Sequence, residues 1–168
     1  MSLSYAVFLH IKTSAYPKVG IVQMEEYVYQ FEGMKDASKD YLGKVNNWNA
    51  QADSMKSRLK DVYREIQMDS LNKDKEKLKT DVQKFNLLMN TYNEYQQKMD
   101  DKAKKDDEQM TIGILNQLSG YMKEFAQKEG YDLIISNTEV KNVGYVKDGM
   151  DITSHMLDYA NSRYNNEK

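Results

Sequence analysis

Residues 45–66 read VNNWNAQADSMKSRLKDVYREI, and the spacing of their apolar side chains decides the fold. These side chains recur at alternating steps of three and four residues. They are Val45, Trp48, Ala52, Met55, Leu59, Val62 and Ile66. A repeat that averages 3.5 residues places one apolar stripe along a helix and requires a partner helix to cover it. The stretch is therefore predicted to form one helix of a coiled coil.

A second run with the same spacing supplies the partner helix. It consists of Leu78, Val82, Phe85, Met89 and Tyr92. Between the two runs, residues 67–74 (QMDSLNKD) interrupt the stripe and are rich in turn and capping residues. We predict an antiparallel coiled-coil hairpin over residues 34–110, with its tip near residues 69–73. The seam between its helices consists of Val45, Trp48, Met55, Leu59, Val62, Ile66, Leu78, Val82, Phe85, Met89 and Tyr92.

The length of these helices predicts that the hairpin projects from the rest of the chain. No proline follows Pro17, and no glycine lies between Gly43 and Gly113. Helices of roughly 35–45 residues would each be on the order of 50–65 Å long at 1.5 Å per residue. A compact domain of this size cannot enclose such helices.

Short apolar stretches on both sides of the hairpin are typical of buried strands. Residues 18–24 and 131–136 are apolar on both faces, and residues 143–147 (VGYVK) form a third stretch before a turn. Strands from residues 1–33 and 111–168 must then pair in one small sheet. The predicted fold class is α+β and mostly α.

Helix signals complete this body. A short helix beginning near Glu25 is predicted to end at Gly33, with Asp36 or Ser38 capping the long helix that follows. Gly130 is expected to terminate the second long helix. A last helix is predicted over residues 153–163, capped by Thr153 or Asp151, with fraying from Asn161 onward.

Residues 4–13 (SYAVFLHIKT) leave two interpretations open. The segment could be an extra strand of the body, with alternate apolar side chains on one face. It could also be the remainder of a secretory signal, followed by a region of small residues.

The predicted sheet is too small to be stable alone. Three short strands are marginal, and their open edges invite pairing with another chain. Burying one leucine side chain stabilises by roughly 1.5–3 kcal/mol, whereas ordering each backbone residue costs roughly 1–2 kcal/mol. We therefore expect an oligomer that completes the sheet.

Composition argues against several functions. With a net charge of −2 and a pI of about 5.8, the chain lacks the positive electrostatic potential that is typical of a nucleic-acid binder. Without cysteine there is no thiol catalysis and no disulfide. No apolar run approaches the roughly 18 residues of a membrane-spanning helix. We predict no enzymatic activity, no cofactor and no metal.

Weaker chemical signals have ordinary explanations. His155 is read as a surface residue, and the paired aspartates 100–101 and 106–107 as solvated side chains among lysines. The abundant methionines are read as filling an imperfect seam, or alternatively as offering soft apolar contacts to a partner.

Four features together resemble the Skp (OmpH-like) family of periplasmic chaperones. They are the opening strand with its Gln23-Met24 ending, the long proline-free helical pair, the segment 129–135 (EGYDLII), and Val143-Gly144-Tyr145-Val146 followed by Asp151-Ile152-Thr153 before a terminal helix. Known members are strongly basic and this chain is slightly acidic, so no lipopolysaccharide-binding residues are carried over.

The resemblance implies a homotrimer with a small β-barrel body built from strands of three chains, from which the hairpins hang. It also implies a periplasmic, ATP-independent holdase for unfolded outer-membrane proteins, without catalytic residues. The body positions expected to form the trimer are Val19, Ile21, Val22, Leu133, Ile134, Ile135, Val143, Tyr145 and Val146. The alternative is a structural or tethering protein whose coiled coil binds a partner helix or an envelope component.

Overall fold

The computed structural model describes residues 16–138 and 143–168 and is mostly helical. Its elements are β1 (Val19–Gln23), α1 (Met24–Gln30), α2 (Glu32–Leu71), α3 (Lys75–Glu129), β2 (Leu133–Asn137) and α4 (Thr153–Glu167). The chain divides into two compact units. The hairpin unit is Asp36–Ile112, and the body unit comprises the described parts of Met1–Lys35 and Gly113–Lys168. The alternative interpretations of residues 4–13 concern a segment outside the described residues.

A two-stranded parallel sheet lies in the body unit. β1 pairs with β2 in a register that sets Ile21 opposite Ile135. Ile21 and Val22 point to opposite faces and are 4% and 0% exposed. The predicted pairing of two strands that are distant in sequence is confirmed, and β1 is buried on both faces.

The predicted third strand at residues 143–147 is wrong for the single chain. This segment is irregular, and Tyr145 is 82% exposed. The second neighbour of β1 is instead Asp151, because the Ile21 amide donates to Met150 O at 2.8 Å and the Ile152 amide to Ile21 O at 2.9 Å. A tight turn at Gly149, with φ of +85°, redirects the chain so that residues 150–152 reach β1.

The predicted start of the first long helix is also wrong. The break between α1 and α2 falls at Phe31, whose ψ of 128° is extended, while Gly33 lies inside α2. The Glu32 amide donates to Asn161 Oδ1 of α4 at 2.9 Å. The first backbone amide of α2 is therefore hydrogen-bonded by a side chain 129 residues away in sequence. The prediction that Asp36 or Ser38 caps this helix is wrong, because the helix already begins at Glu32.

Gly130 ends α3 as predicted. Its φ is +71°, and the following amide of Tyr131 donates back to Ala126 O at 2.9 Å. The last helix is longer than predicted, because α4 continues to Glu167 instead of fraying from Asn161. Glu167 accepts from the Tyr121 hydroxyl at 2.7 Å and pairs with Arg163 at 3.1 Å, which holds the final turn.

In the hairpin unit, α2 and α3 run antiparallel and meet at a tight turn. Lys73 occupies the left-handed region with φ of 58°. The Asp74 side chain accepts from the Lys77 amide at 3.2 Å and so caps the first turn of α3. The interruption in the apolar stripe coincides with this turn.

Candidate functional site

The core of the body unit is aromatic and closely packed. Tyr27, Phe31, Leu118 and Met156 are all 0% exposed. The Tyr27 hydroxyl donates to Leu118 O at 3.4 Å, and burial raises the pKa of Tyr27 well above its ordinary value. The Phe31 ring meets that of Tyr121 edge to face, at 6.2 Å between centroids. This core gives the sheet a rigid support.

The residues expected to form a trimer divide into three groups in the single chain. Ile21 and Val22 are buried within it, and Leu133 and Tyr145 are 51% and 82% exposed. The remaining residues are half-buried: Val19, Ile134, Ile135, Val143 and Val146. Among the described residues, β2 has a ladder partner on one edge only, so its outer edge and the exposed side chains form an open surface.

A hydrogen-bonded cluster of side chains lies where the two parallel strands end. Gln23 and Asn137 face each other in register, and the Asn137 amide donates to Gln23 Oε1 at 2.8 Å. The Gln23 backbone amide donates to Thr153 Oγ1 at 2.9 Å, and its side chain to Asp151 at 3.2 Å. Burial raises the pKa of Asp151, but hydrogen bonds from Thr153 and Gln23 outweigh it and hold that pKa below its ordinary value. The cluster fixes the start of α4 against the sheet.

A second polar cluster fastens α4 to α3. Arg163 donates to Glu124 Oε2 at 2.9 Å, and the Tyr159 hydroxyl donates to the same oxygen at 3.1 Å. The Arg163 hydrogen bond holds the pKa of Glu124 below its usual range. Burial and the hydrogen bond to Glu167 raise the pKa of Tyr121 to about 12. These groups hold α4 in position against α3.

The seam of the hairpin unit is shallow. Leu59 and Val62 are buried, at 8% and 4% exposure, together with Ala52 at 6%. Val82 is 40% exposed. The other predicted seam residues are half-buried: Val45, Trp48, Met55, Ile66, Leu78, Phe85, Met89 and Tyr92.

Polar contacts between the helices supplement this seam. The Tyr95 hydroxyl donates to Trp48 O at 3.2 Å, and the Tyr41 hydroxyl to Ala103 O at 3.2 Å. Lys84 pairs with Glu65 at 3.0 Å. Such exposed ion pairs typically contribute only about 0–1 kcal/mol, so the hairpin has little stabilisation beyond its narrow seam.

An open apolar groove lies beside the turn of the hairpin. We call it the tip groove. It has a volume of about 730 Å³ and lies between α2 and Leu78 of α3. On the α2 side it is lined mainly by Tyr63, Arg64, Ile66, Gln67, Met68 and Leu71. Three of these side chains are strongly exposed: Tyr63 at 52%, Met68 at 58% and Leu71 at 76%.

The described residues offer no obvious catalytic or metal centre. In this part of the chain, no group of three or more His, Cys, Asp or Glu side chains is placed to hold a metal ion. His155 is exposed, and Asp106 pairs with Lys44 at 3.5 Å. Within residues 16–138 and 143–168, no helix is both long and apolar enough to cross a membrane.

Sequence patterns predict neither the tip groove nor the polar cluster at the strand ends. Met68 and Leu71 fall in the stretch predicted to be the turn, and Met68 is also one of the methionines read as filling the seam or as offering soft apolar contacts. Amide side chains at the last residues of β1 and β2 are the available signal for the polar cluster. Only the parallel register of β1 and β2, a long-range feature, brings Gln23 and Asn137 together.

A small parallel sheet whose strands are separated in sequence by a long helical hairpin defines the class of fold. Comparison with known families identifies it further. The sequence profile of the outer membrane protein (OmpH-like) family matches residues 18–159. The chain therefore belongs to the OmpH-like family, which confirms the resemblance seen in the sequence.

A solved structure shows the same fold. It is a crystal structure from Caulobacter crescentus CB15 of an OmpH-like protein, described as a candidate outer membrane chaperone. The similarity has a TM-score of 0.77 at 14% sequence identity, and it covers 89% of this chain and 86% of that one. At this identity the likeness demonstrates the fold alone. A search of curated proteins finds no match.

Proposed function

We propose that this chain is an ATP-independent holdase chaperone that keeps unfolded outer-membrane proteins from aggregating in the periplasm. The observation that carries the proposal is the surface of the hairpin unit. Large apolar side chains are exposed at separate points along it, including Leu42 at 57%, Leu71 at 76% and Leu87 at 69%. Dispersed apolar contacts bind an unfolded chain weakly at many points, so the client leaves without nucleotide hydrolysis.

We propose further that the chain acts as a homotrimer whose strands form a shared barrel. The open outer edge of β2 supports this, because an unpaired edge is a template for pairing with another chain. The exposed side chains of Leu133 and Tyr145 lie on the same unit and would be covered by the partner copies. The hairpins of the three chains would then surround the client.

Bending of the hairpin helices would let such a cage fit clients of different size. Gly43, Gly113 and Gly120 are proposed bending points, since a Cβ at any of these positions would meet nothing within 4 Å. Packing therefore does not require glycine there. A glycine within a helix costs roughly 0.5–1 kcal/mol relative to alanine, and flexibility is the property that it supplies.

Light scattering tests the holdase activity. A urea-unfolded outer-membrane β-barrel protein is diluted into buffer with an equimolar amount of the trimer and without nucleotide. Scattering should stay near that of the buffer, whereas an unrelated protein of the same size should leave aggregation unchanged. Undiminished scattering at equimolar trimer would reject the holdase function. Tight binding to one folded partner without such suppression would support the tethering alternative.

The mass in solution tests the assembly. Wild-type protein should have three times the 19.6 kDa mass of one chain. Ile134→Asp places a charge on a half-buried strand and should give monomers, whereas Leu59→Asp should separate the hairpin helices and leave the trimer intact. A monomeric wild-type protein would reject the trimer. Loss of the trimer in both variants would show that assembly depends on the hairpin as well.

A further inference from the structure

Two apolar side chains of the tip groove, Met68 and Leu71, are not explained by packing of the hairpin. The stripe of α2 passes through Val62 and Ile66, and its next positions are occupied by Asp69 and Lys73. Met68 and Leu71 lie off this stripe and are more than half exposed. Together with Tyr63 they form a cluster of large exposed apolar side chains, which on a soluble protein marks an interaction surface.

The charge of the groove restricts what it binds. Among the described residues that line it, Arg64 is the one that carries a charge, and none is a carboxylate. The guanidinium lies 2.9 Å from Asp61 Oδ1 with its side chain 72% exposed, so it keeps donors for a further acceptor. A ligand that complements this groove is apolar and carries an anionic oxygen near its apolar groups.

The shape and composition of the groove fit a peptide. Its volume of about 730 Å³ lies within the range of about 300–1,000 Å³ that is usual for ligand sites, which a few residues fill. Its open side admits a continuing chain. Met68 is flexible and polarizable, so it can repack against different apolar side chains.

We propose that the tip groove binds a short extended peptide segment in which apolar residues adjoin an acidic side chain. The inference rests on the proposed function, since the segment would belong to an unfolded client. The apolar side chains enter between Leu71 and Leu78, and the carboxylate accepts hydrogen bonds from Arg64. The groove thereby gives the hairpin one preferred contact among its dispersed weak ones.

Fluorescence anisotropy of a labelled peptide with alternating leucine and aspartate, added to the full-length protein, tests the groove. Leu71→Ser should weaken binding about tenfold, because it removes a leucine that the peptide covers. Tyr29→Ser is the control: this tyrosine is 64% exposed but lies in the body unit, outside both the hairpin surface and the groove. It should bind the peptide as wild type does. Equal affinities of the two variants, or no peptide binding by wild-type protein, would overturn the proposal.

The anionic preference has its own control. Wild-type protein should bind the aspartate peptide more tightly than an otherwise identical asparagine peptide. Arg64→Gln should abolish this difference, and Arg58→Gln, an exposed arginine outside the groove, should preserve it. If Leu71→Ser kept peptide affinity but lost binding to anionic phospholipid vesicles, a lipid surface would replace the peptide as occupant and the proposal would fail.

The proposed function and this inference fail separately. Undiminished aggregation of a client with wild-type protein rejects the holdase function. Suppression by wild-type protein, combined with unchanged peptide affinity in Leu71→Ser, rejects the groove alone. Because Leu71 is exposed, circular dichroism and solution mass of its variant should match those of wild type.

Discussion

The body unit and the hairpin unit bury their side chains to different depths. In the body unit, Phe31, Leu118 and Met156 are inaccessible to solvent, and aromatic rings pack edge to face. In the hairpin unit, Ala52, Leu59 and Val62 come closest to that state, and most of the seam is half-buried. Two helices alone can cover only one stripe of each other, whereas the body packs helices against a sheet from several directions.

This difference in burial makes the body unit the rigid part of the chain and the hairpin unit the adaptable part. A residue buried on all sides has one arrangement, and the body unit therefore holds its strand edge and its helix ends in fixed positions. A half-buried seam has fewer contacts to lose when its helices bend. The proposed division of roles, with assembly in the body and client binding on the hairpin, follows this gradient of packing.

Replacing one buried leucine in each unit should give the largest contrast. Leu118→Ala should lower the free energy of unfolding by about 4 kcal/mol and Leu59→Ala by about 2 kcal/mol, because a half-open seam relaxes around a lost side chain. Urea unfolding followed by far-UV circular dichroism measures both. Fluorescence of Trp48, the single tryptophan, reports on the hairpin unit. Equal losses would show that the two units are packed alike.

Alanine in place of glycine at two positions of α2 should act with opposite signs. A Cβ at Gly33 would overlap the Phe31 ring and lie 3.1 Å from that of Tyr164. Gly33→Ala should therefore destabilise by about 1–3 kcal/mol. Gly43→Ala meets nothing within 4 Å and should stabilise by about 0.5–1 kcal/mol. The thermal unfolding temperature of both variants checks these signs. A Gly33→Ala protein as stable as wild type would show that the Phe31 ring can move to make room for the added methyl group.

The elements that the sequence predicts correctly are those that interactions between near neighbours determine. The 3.5-residue repeat from Val45 to Ile66 predicts the hairpin, because helix and stripe are set by neighbours within a turn or two. Gly130 likewise ends α3 through its own φ. Local patterns therefore predicted the elements that local contacts stabilise.

The predictions that are wrong concern elements whose ends are set by contacts between residues far apart in sequence. The helix break at Phe31 depends on Asn161, and the second neighbour of β1 is set by hydrogen bonds of Ile21 to residues 150–152. Neither contact has a signature in the residues near it. The tip groove has a related explanation, since Met68 and Leu71, its most exposed aliphatic side chains, belong to no periodic pattern.

Two carboxylates with opposite pKa shifts predict opposite pH responses in the two units. In the body unit, the Arg163 hydrogen bond lowers the pKa of Glu124. In the hairpin unit, burial, then the hydrogen bond and charge of Asp81, raise the pKa of Asp69 despite nearby Lys77. The Glu124 carboxylate therefore stabilises the folded protein at pH values above the pKa that it has in the unfolded chain. This stabilisation is lost as the pH falls through its lower pKa in the folded protein. The ionised Asp69 side chain destabilises the folded protein. This destabilisation disappears as the pH falls through the raised pKa of Asp69 and the carboxylate gains a proton.

Neutral substitutions at these two positions check the signs. At neutral pH, Glu124→Gln should lower the thermal unfolding temperature and Asp69→Asn should raise it. On acidification the Asp69→Asn difference should shrink first, as the pH falls through the raised pKa of Asp69. The Glu124→Gln difference should shrink only at lower pH, below the ordinary pKa of about 4.3 for glutamate and through the lowered pKa of Glu124. A destabilised Asp69→Asn protein at neutral pH would show that the carboxylate makes a favourable contact in the turn.

The smallest expected effect distinguishes two valines within the hairpin unit. Val62 is 4% exposed, so Val62→Ala should cost about 1–2 kcal/mol for the methyl groups removed from the seam. Val82 is 40% exposed and has less burial to lose. Alanine is also the better helix former by a few tenths of a kcal/mol. The two terms oppose each other at Val82, and urea unfolding of Val82→Ala should differ from wild type by less than about 0.5 kcal/mol. A loss as large as that of Val62→Ala would mean that position 82 is covered in solution, as it would be if the hairpins of an assembled oligomer pack on one another there.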